Sequence, residues 1–429
     1  MEKEQVAGHS VTPAPQELEQ QPQNQNGVVE EQQQQPSKWK PKRGKRKKKT
    51  AAIEPHLYLP LAPPDKLSGH EFYEKTLRNP KYIVAPMVEA SELPWRMLSR
   101  HYQAELCYTP MFHSKQFATV AAYRRINFST CPEDRPLIVQ FCGNEPAVLL
   151  QAALHVQDSC DAVDLNFGCP QNIAKRGNYG AFLLENWPLM EAMVSILHKN
   201  LSVPVTCKIR LLPSLEDTIE MAKRLEAAGC QMLCVHGRTK ENKGRTATPA
   251  DWDAIRTIKE ALSIPVVANG SISVFDDIER CLAATGARGV MSAYANLLHP
   301  ALFTGRPRDD STSFEAALLY LDLCEKYPTS AKIMKGHLHK LLKNGWNTYG
   351  DLRSILNDGK TCRTPQQLRT LVLTLRKRFE DGAEPVLDET VATTKKVEGE
   401  EEEDTADIFQ SGIFHEEEDD EEYEDEERT

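Results

Sequence analysis

The chain has 429 residues, with 62 acidic against 52 basic side chains, a net charge of −10 and 11 cysteines. That charge is polarised: from Glu398 to the end there are 18 Asp and Glu against one basic residue, Arg428, which leaves the remainder at about +7. A basic body with an acidic tail points to a polyanionic partner, the irregular cysteine spacing argues against a disulfide framework, and no apolar run approaches the ~20 residues of a membrane span.

In chain order, residues 1–69 are rich in Gln, Pro, Glu and Lys without apolar periodicity and are expected to be disordered. The start, MEKEQVAGHSVTPAPQELEQQ, has no apolar h-region, so the expected compartment is reducing and intracellular, cytoplasmic or nuclear. The run KWKPKRGKRKKK at 38–49 holds nine basic residues and reads as a nuclear localisation signal, an RNA-touching arm or a solvated charge run.

Residues 70–308 alternate short β-branched runs with stretches of helical period. The runs are YIVAPM (82–87), AELCYTPM (104–111), PLIVQFCG (136–143), DAVDLNFG (161–168), VPVTCKIR (203–210), QMLCVHG (231–237), IPVVANG (264–270) and RGVMSA (288–293). Ser214 with Asp217 forms a capping pattern closed by Gly229, and Ser273 with Asp276 another closed by Gly286. Eight such units predict an α/β fold, a closed (β/α)8 TIM barrel with its chemistry at the C-terminal ends of the strands. Residues 309–382 read as a small helical domain. Between 331 and 378 it carries eleven Lys and Arg against two Asp, with Trp346 and Tyr349 among them, which suggests an RNA-binding module. Residues 383–429 form a disordered acidic tail.

The strand ends carry polar residues where a barrel interior is expected to be apolar: Gln140, Asn166, Cys169, Lys208, Arg210, His236, Arg238 and Asn269. Their repetition points to one pocket. Asn269-Gly270 after the seventh run and MSAYANL after the eighth are placed to hold a phosphate on backbone amides. Lys208 would set a positive charge beside an anionic cofactor ring, and Gln140 would bridge the ring's polar edge. There is no GxGxxG, and Gly359-Lys360-Thr361 has Ser354 where a P-loop needs glycine. Cys230, Cys234, His337 and His339 lack the spacing of a structural metal site, and none is expected. Cys169, between Gly168 and Pro170 just past a strand, is neither a mid-strand packing thiol nor explained by acyl transfer. A proton donor to a carbanion needs only its placement and its proton.

The segments APMVEASELPWR (85–96), RPLIVQFCGNEP (135–146), DAVDLNFGCPQNIAKRGNYGAFLLE (161–185), VPVTCKIR, VHGRT (235–239) and VVANGSI (266–272) closely resemble the tRNA-dihydrouridine synthases, in particular the eukaryotic subgroup acting on D-loop positions 16 and 17. The resemblance implies an FMN-containing, monomeric enzyme that reduces the uracil C5=C6 bond in tRNA, with NADPH or NADH as reductant. It implies Pro86, Met87 and Val88 against the flavin ring, Gln140 and Lys208 at its polar edge and His236 in contact with it. Asn269, Gly270, Ser271, Ala293 and Tyr294 would hold the phosphate. Cys169 would be catalytic, Asn166 would orient the uracil, and Lys175, Arg210 and Arg238 would contact the substrate. Two positions depart from the pattern: Arg288 stands where the family has an acid, and Tyr294-Ala295 replaces Glu-Gly. A flavin barrel reducing a small molecule and a non-catalytic RNA-binding protein are the competing readings. The basic helical segment and the GCPQ loop argue against the first, and the set Gln140, Cys169, Lys208 and His236 against the second.

Overall fold

A computed structural model describes residues 66–244 and 247–386; the basic run at 38–49 and the acidic tail lie outside the described residues. Nine strands form: β1 (Tyr82–Val84), β2 (Leu106–Tyr108), β3 (Phe112–His113), β4 (Leu137–Cys142), β5 (Ala162–Phe167), β6 (Val205–Leu211), β7 (Met232–Thr239), β8 (Val266–Asn269) and β9 (Gly289–Ser292). Their order is β2-β1-β9-β8-β7-β6-β5-β4, and a β2–β4 pairing closes the ring. All pairings are parallel, so this is a (β/α)8 barrel built on the eight expected runs. The two-residue β3, unforeseen, pairs with β4 outside the ring. The first two strands end earlier than their apolar runs because Pro86 and Pro110 offer no N–H to the ladder.

Strand alternation sorts the residues into two faces. Val84, Cys107, Val139, Val163, Leu165, Val205, Ile209, Leu233, Val235, Val266, Ala268 and Val290 belong to the core shared with the surrounding helices. The opposite parity faces the barrel axis. There Ile83, Leu106, Ile138, Ala162, Met232, Val267 and Met291 make an apolar floor. Two or four residues further along those strands come Gln140, Asp164, Asn166, His236 and Asn269, and Lys208, two residues past Thr206, takes the same face on β6. The interior therefore changes from apolar to polar towards the C-terminal ends.

Residues 68–77 close the floor from below, although their composition placed them at the edge of the expected disorder. Ser68 and Glu71 form a capping box, and Phe72, Tyr73 and Leu77 bury themselves in the interior cluster. Each such side chain contributes roughly 1.5–3 kcal/mol of burial. Gly69 is required, since a Cβ there would sit 2.4 Å from the Gln231 carbonyl oxygen. Arg288, the departure from the family's acid, donates to Glu74 at 2.9 Å and Asn79 at 2.7 Å and so ties this plug to the barrel.

The helix Leu215–Ala227 is capped as expected, the Ser214 hydroxyl accepting from the Asp217 N–H at 3.0 Å. The helix Asp276–Thr285 is capped differently. Ser273 makes no side-chain cap; instead the Asp277 carboxylate accepts from the N–H groups of Ser273 (2.7 Å) and Val274 (2.9 Å), while Gly286 ends the helix at φ 63.

Beyond the barrel come helices Asp310–Lys326, Ala331–Leu341, Lys343–Thr348, Gly350–Asn357 and Pro365–Glu380. Their core is continuous with Trp95, Leu98 and Tyr102 of the helix Leu93–His101, so they pack directly on the barrel wall. Trp346 and Tyr349 are 1% and 3% exposed, with Trp346 Nε1 donating to the Leu338 carbonyl and the Tyr349 hydroxyl to that of Arg378. They fill this core and are not the RNA-facing aromatics that the sequence suggested. At the junction, Glu92 accepts from the Tyr320 hydroxyl at 2.7 Å and pairs with His337 at 3.1 Å, and His337 stacks on Trp95.

Candidate active site

The C-terminal ends of the strands open into a cavity of about 1010 Å³. Its lining includes Pro86 after β1, Lys208 and Arg210 on β6, His236 and Arg238 on β7, Asn269, Gly270 and Ser271 at the end of β8, and Ala293 and Tyr294 after β9. Among the other expected residues, Met87 and Val88 follow Pro86 in the same loop, Gln140 lies one layer behind, the half-buried Asn166 joins it to the Cys169 loop, and Cys169 stands past the end of β5. Lys175, on the helix Asn172–Gly177, is exposed and is not among the residues lining the cavity.

The turn after β8 is shaped by close approach. Gly270 has φ 107, and a Cβ there would lie 2.8 Å from the Ala250 Cβ and 2.9 Å from His236 Cδ2. Ser271 follows at φ 59, a left-handed conformation rare for serine and stabilised here by bonds from the Ala250 N–H and Arg238 to its hydroxyl. Past β9 begins the short helix Tyr294–Leu298, whose first N–H groups have no intrahelical acceptor. Tyr294 is 61% exposed, so the side chain replacing the family's acid leaves the cavity unfilled.

Charge in the cavity is cationic and in part uncompensated. Lys208 is half-buried, and its ammonium has no hydrogen-bond partner among the described residues. Burial pushes its pKa down, while Cys234 opposes that shift. Burial, reinforced by Lys208, Arg210 and Arg238, drives the His236 pKa far down and keeps the ring neutral. Arg238 lies 3.1 Å from His236 Nε2; a guanidinium only donates, so the ring proton is on Nδ1.

Two arginines expected at the substrate are largely committed to the protein. Arg210, 8% exposed, donates to the carbonyls of Gly168 and Thr239, each at 2.8 Å, and burial lowers its pKa to about 10. Arg238 donates to the Thr248 carbonyl, His236 and Ser271. Both brace the rim: Arg210 ties the β5 loop to β7, and Arg238 joins β7 to the turn after β8.

The Cys169 loop is held from several sides. Asn166 Oδ1 accepts from the N–H groups of Gly168 (3.0 Å) and Cys169 (2.8 Å), and the Cys169 carbonyl accepts from Ala181 at 3.0 Å. Gly180, at φ 63, lies so close that a Cβ would be 2.8 Å from that carbonyl oxygen. This explains the glycine eleven residues after the cysteine. Burial raises the thiol pKa, against the pull of the Gln171 backbone N–H and of Arg210, Lys208 and Lys243. Cys169 therefore keeps its proton at neutral pH.

Gln140 differs most from expectation. It is fully buried, its Nε2 donates to Asp164 at 2.8 Å and its Oε1 accepts from Asn166 Nδ2 at 2.9 Å, so it stands behind the cavity and not on its wall. Asp164 and Thr206 lie beneath the site without having been singled out from the sequence. The alternation in VDLNFG, which sets Asp164 on the same face as Asn166, carried that signal.

These features define a (β/α)8 barrel with a cationic, amide-rimmed cavity beside a protonated thiol. The chain belongs to the dihydrouridine synthase family: the family model described as Dihydrouridine synthase (Dus) matches residues 83–385. A Mus musculus protein named as tRNA-dihydrouridine(16/17) synthase-like is 52% identical over 298 residues, 69% of this chain and 62% of that protein. The present chain thus spans somewhat less than two thirds of that relative. The Schizosaccharomyces pombe tRNA-dihydrouridine(16/17) synthase is 45% identical over 331 residues, 73% of this chain and 82% of its own. A Mus musculus relative named for positions 20a/20b is 40% identical over 226 residues, 52% of this chain and 69% of its own.

Proposed function

We propose that the protein is an FMN-dependent tRNA-dihydrouridine synthase that reduces uridines 16 and 17 of the D-loop, using NADPH or NADH. The observation that carries this reading is Cys169, held by Asn166 in a loop that Arg210 and Gln171 connect to a cavity suited to a phosphate-bearing cofactor. The fit to FMN rests on the Lys208 ammonium, without a partner among the described residues, the close-packed Gly270 turn, the N–H groups at the start of helix Tyr294–Leu298 and a volume at the upper end of the ~300–1,000 Å³ usual for ligand sites. Lys208, His236 and the loop after Pro86 would hold the ring, and Asn269, Gly270, Ser271, Ala293 and Tyr294 the phosphate. The relatives' names specify positions 16/17 and NAD(P)(+), which supports the same choice for this chain.

Reduced FMN, held by Lys208, His236 and the loop after Pro86, would supply the hydride for uracil C6. The protein's part is to bring the base in and to place a proton. A stacked base is out of reach, so it must be extruded into the cavity. Asn166 retains one amide N–H after its bond to Gln140 and would direct it to a uracil carbonyl. Cys169 Sγ–H delivers the proton to C5, leaving a thiolate beside Arg210, Lys208 and Lys243 until solvent reprotonates it. Among the C-terminal helices, Lys343, Lys360, Arg363 and Lys377 are exposed with no acidic partner among the described residues, which supports a role in gripping the tRNA backbone.

The test is Cys169→Ala in a single turnover of pre-reduced enzyme with unmodified tRNA. Retained flavin and tRNA affinity with most product formation lost is expected. Wild-type product formation in that variant would remove Cys169 as proton donor.

A further inference from the structure

Beneath the cavity, a buried hydrogen-bond chain runs from β6 to the catalytic loop. Thr206 Oγ1 donates to Asp164 Oδ1 at 2.6 Å, and Gln140 Nε2 donates to Asp164 Oδ2 at 2.8 Å. Asn166 Nδ2 donates to Gln140 Oε1 at 2.9 Å, and Asn166 Oδ1 accepts from the N–H groups of Gly168 and Cys169. Thr206, Asp164 and Gln140 are each 0% exposed.

The chain has a direction, set at both ends: the Asp164 carboxylate only accepts, and the Gly168 and Cys169 N–H groups only donate. A carboxamide has a donor end and an acceptor end of nearly equal shape, so Gln140 and Asn166 would each fit either way round. A carboxylate only accepts. With Asp164 at its foot, Gln140 must turn its NH2 down and its carbonyl up. Asn166 must then turn its NH2 to Gln140 and its carbonyl to the loop. Inverting any link would set two buried donors against each other, at about 1–3 kcal/mol per unsatisfied group.

We propose that Asp164 is a positioning residue for the reaction: as the acceptor at the foot of this chain it anchors Gln140 and, through Gln140 and Asn166, the place of Cys169. Asp164 is fully buried and is not among the residues lining the cavity, and its two oxygens are taken by Thr206 and Gln140. Burial raises its pKa to about 6, against the bonds from Thr206 and Gln140, which favour the carboxylate. What the chain needs from residue 164 is an acceptor facing Gln140, not a charge facing Lys208. The inference rests on the proposed uridine reduction.

The experiment compares Asp164→Ala, Asp164→Asn and wild type, each purified with bound flavin. Two quantities are read: the single-turnover rate of dihydrouridine formation, and the rate of iodoacetamide alkylation at Cys169, followed on its own peptide by mass spectrometry without tRNA. Asp164→Ala leaves the Gln140 NH2 buried without its acceptor and the foot of the chain unanchored, so turnover is expected to fall on the order of 10–100-fold, with Cys169 alkylated severalfold faster. Asp164→Asn is expected to restore both to within about threefold of wild type, because its carbonyl can face Gln140 while its NH2 turns to the Thr206 hydroxyl, which accepts. An Asn variant as impaired as Ala would mean that charge matters and would overturn the proposal, as would an unimpaired Ala variant. Should Asp164→Ala not fold, Gln140→Met breaks the same chain one link higher and is expected to show both changes; wild-type values there overturn the proposal. Wild type that makes no dihydrouridine defeats the proposed function, whereas active wild type beside an unimpaired Asp164→Ala defeats only the relay.

Discussion

Replacing Gly180 by alanine perturbs the reacting thiol without touching it. The residue adopts φ 63, a conformation that costs an L side chain about 1–2 kcal/mol. Space compounds the strain. The new Cβ would lie 2.8 Å from the Cys169 carbonyl oxygen and 3.0 Å from the Cys169 Cβ, approaches that relax only if something moves by several tenths of an ångström. The Gly180 side is restrained by the Ala181 N–H bond to the Cys169 carbonyl, and the Cys169 side by Asn166 and by Arg210 on Gly168. Both routes of relief displace Cys169. A misplacement approaching 1 Å costs on the order of 10²-fold in rate, so a shift of a few tenths predicts a loss of about tenfold. Overpacking and strain together predict about 2–5 kcal/mol of lost stability. The assay is single-turnover dihydrouridine formation beside flavin content and thermal unfolding. Retained flavin, a lower melting temperature and slowed turnover are expected. Wild-type turnover in a folded, flavin-loaded Gly180→Ala protein would refute the coupling of this glycine to the thiol.

Cys169 acts through its protonated form and burial raises its pKa, so activity is expected to persist through neutral pH and fall only above the ordinary thiol range of ~8.5. In Cys169→Ser that alkaline limb should vanish from the residual rate; an unchanged limb would assign it to another group. Charge reversal of Lys343, Lys360, Arg363 and Lys377 together is expected to weaken tRNA binding and flatten its salt dependence by about 0.7–0.9 for each phosphate no longer neutralised, with flavin content unchanged; an unaltered slope in filter binding would place the tRNA elsewhere. Trp346→Ala is expected to destabilise the helical segment by about 3–5 kcal/mol through the cavity it leaves, and a folded variant impaired only in tRNA affinity would contradict its assignment to the core.

The architecture was legible because each strand carries its own apolar run and a later crossover its own punctuation, as Ser214 and Gly229 show. Of the polar residues at the strand ends, Lys208, Arg210, His236, Arg238 and Asn269 line one cavity, since parallel register places Arg210 beside His236 and His236 beside Asn269 on adjoining strands. What escaped was the second layer. Gln140, Arg210 and Arg238 have the chemistry of ligand-binding groups, yet their donors go largely to Asp164, to backbone carbonyls and to His236. Residue type tells which groups can bind; only packing tells which are already bound. Lys175 lies at an exposed position on its helix and not at the cavity, and Asp277 performs the capping that Ser273 was expected to do. The floor of the barrel was missed for a related reason: Phe72, Tyr73 and Leu77 are too few to show a period, and their burial depends on the barrel they close.

The most direct measurement is nucleotide-resolved mapping of dihydrouridine in unmodified tRNA incubated with the purified full chain, FMN and NADPH. Dihydrouridine at positions 16 and 17, absent when Cys169→Ala replaces the wild type, is the expected result. No dihydrouridine from flavin-loaded protein would contradict the proposed activity, and dihydrouridine confined to other positions would contradict the proposed substrate site.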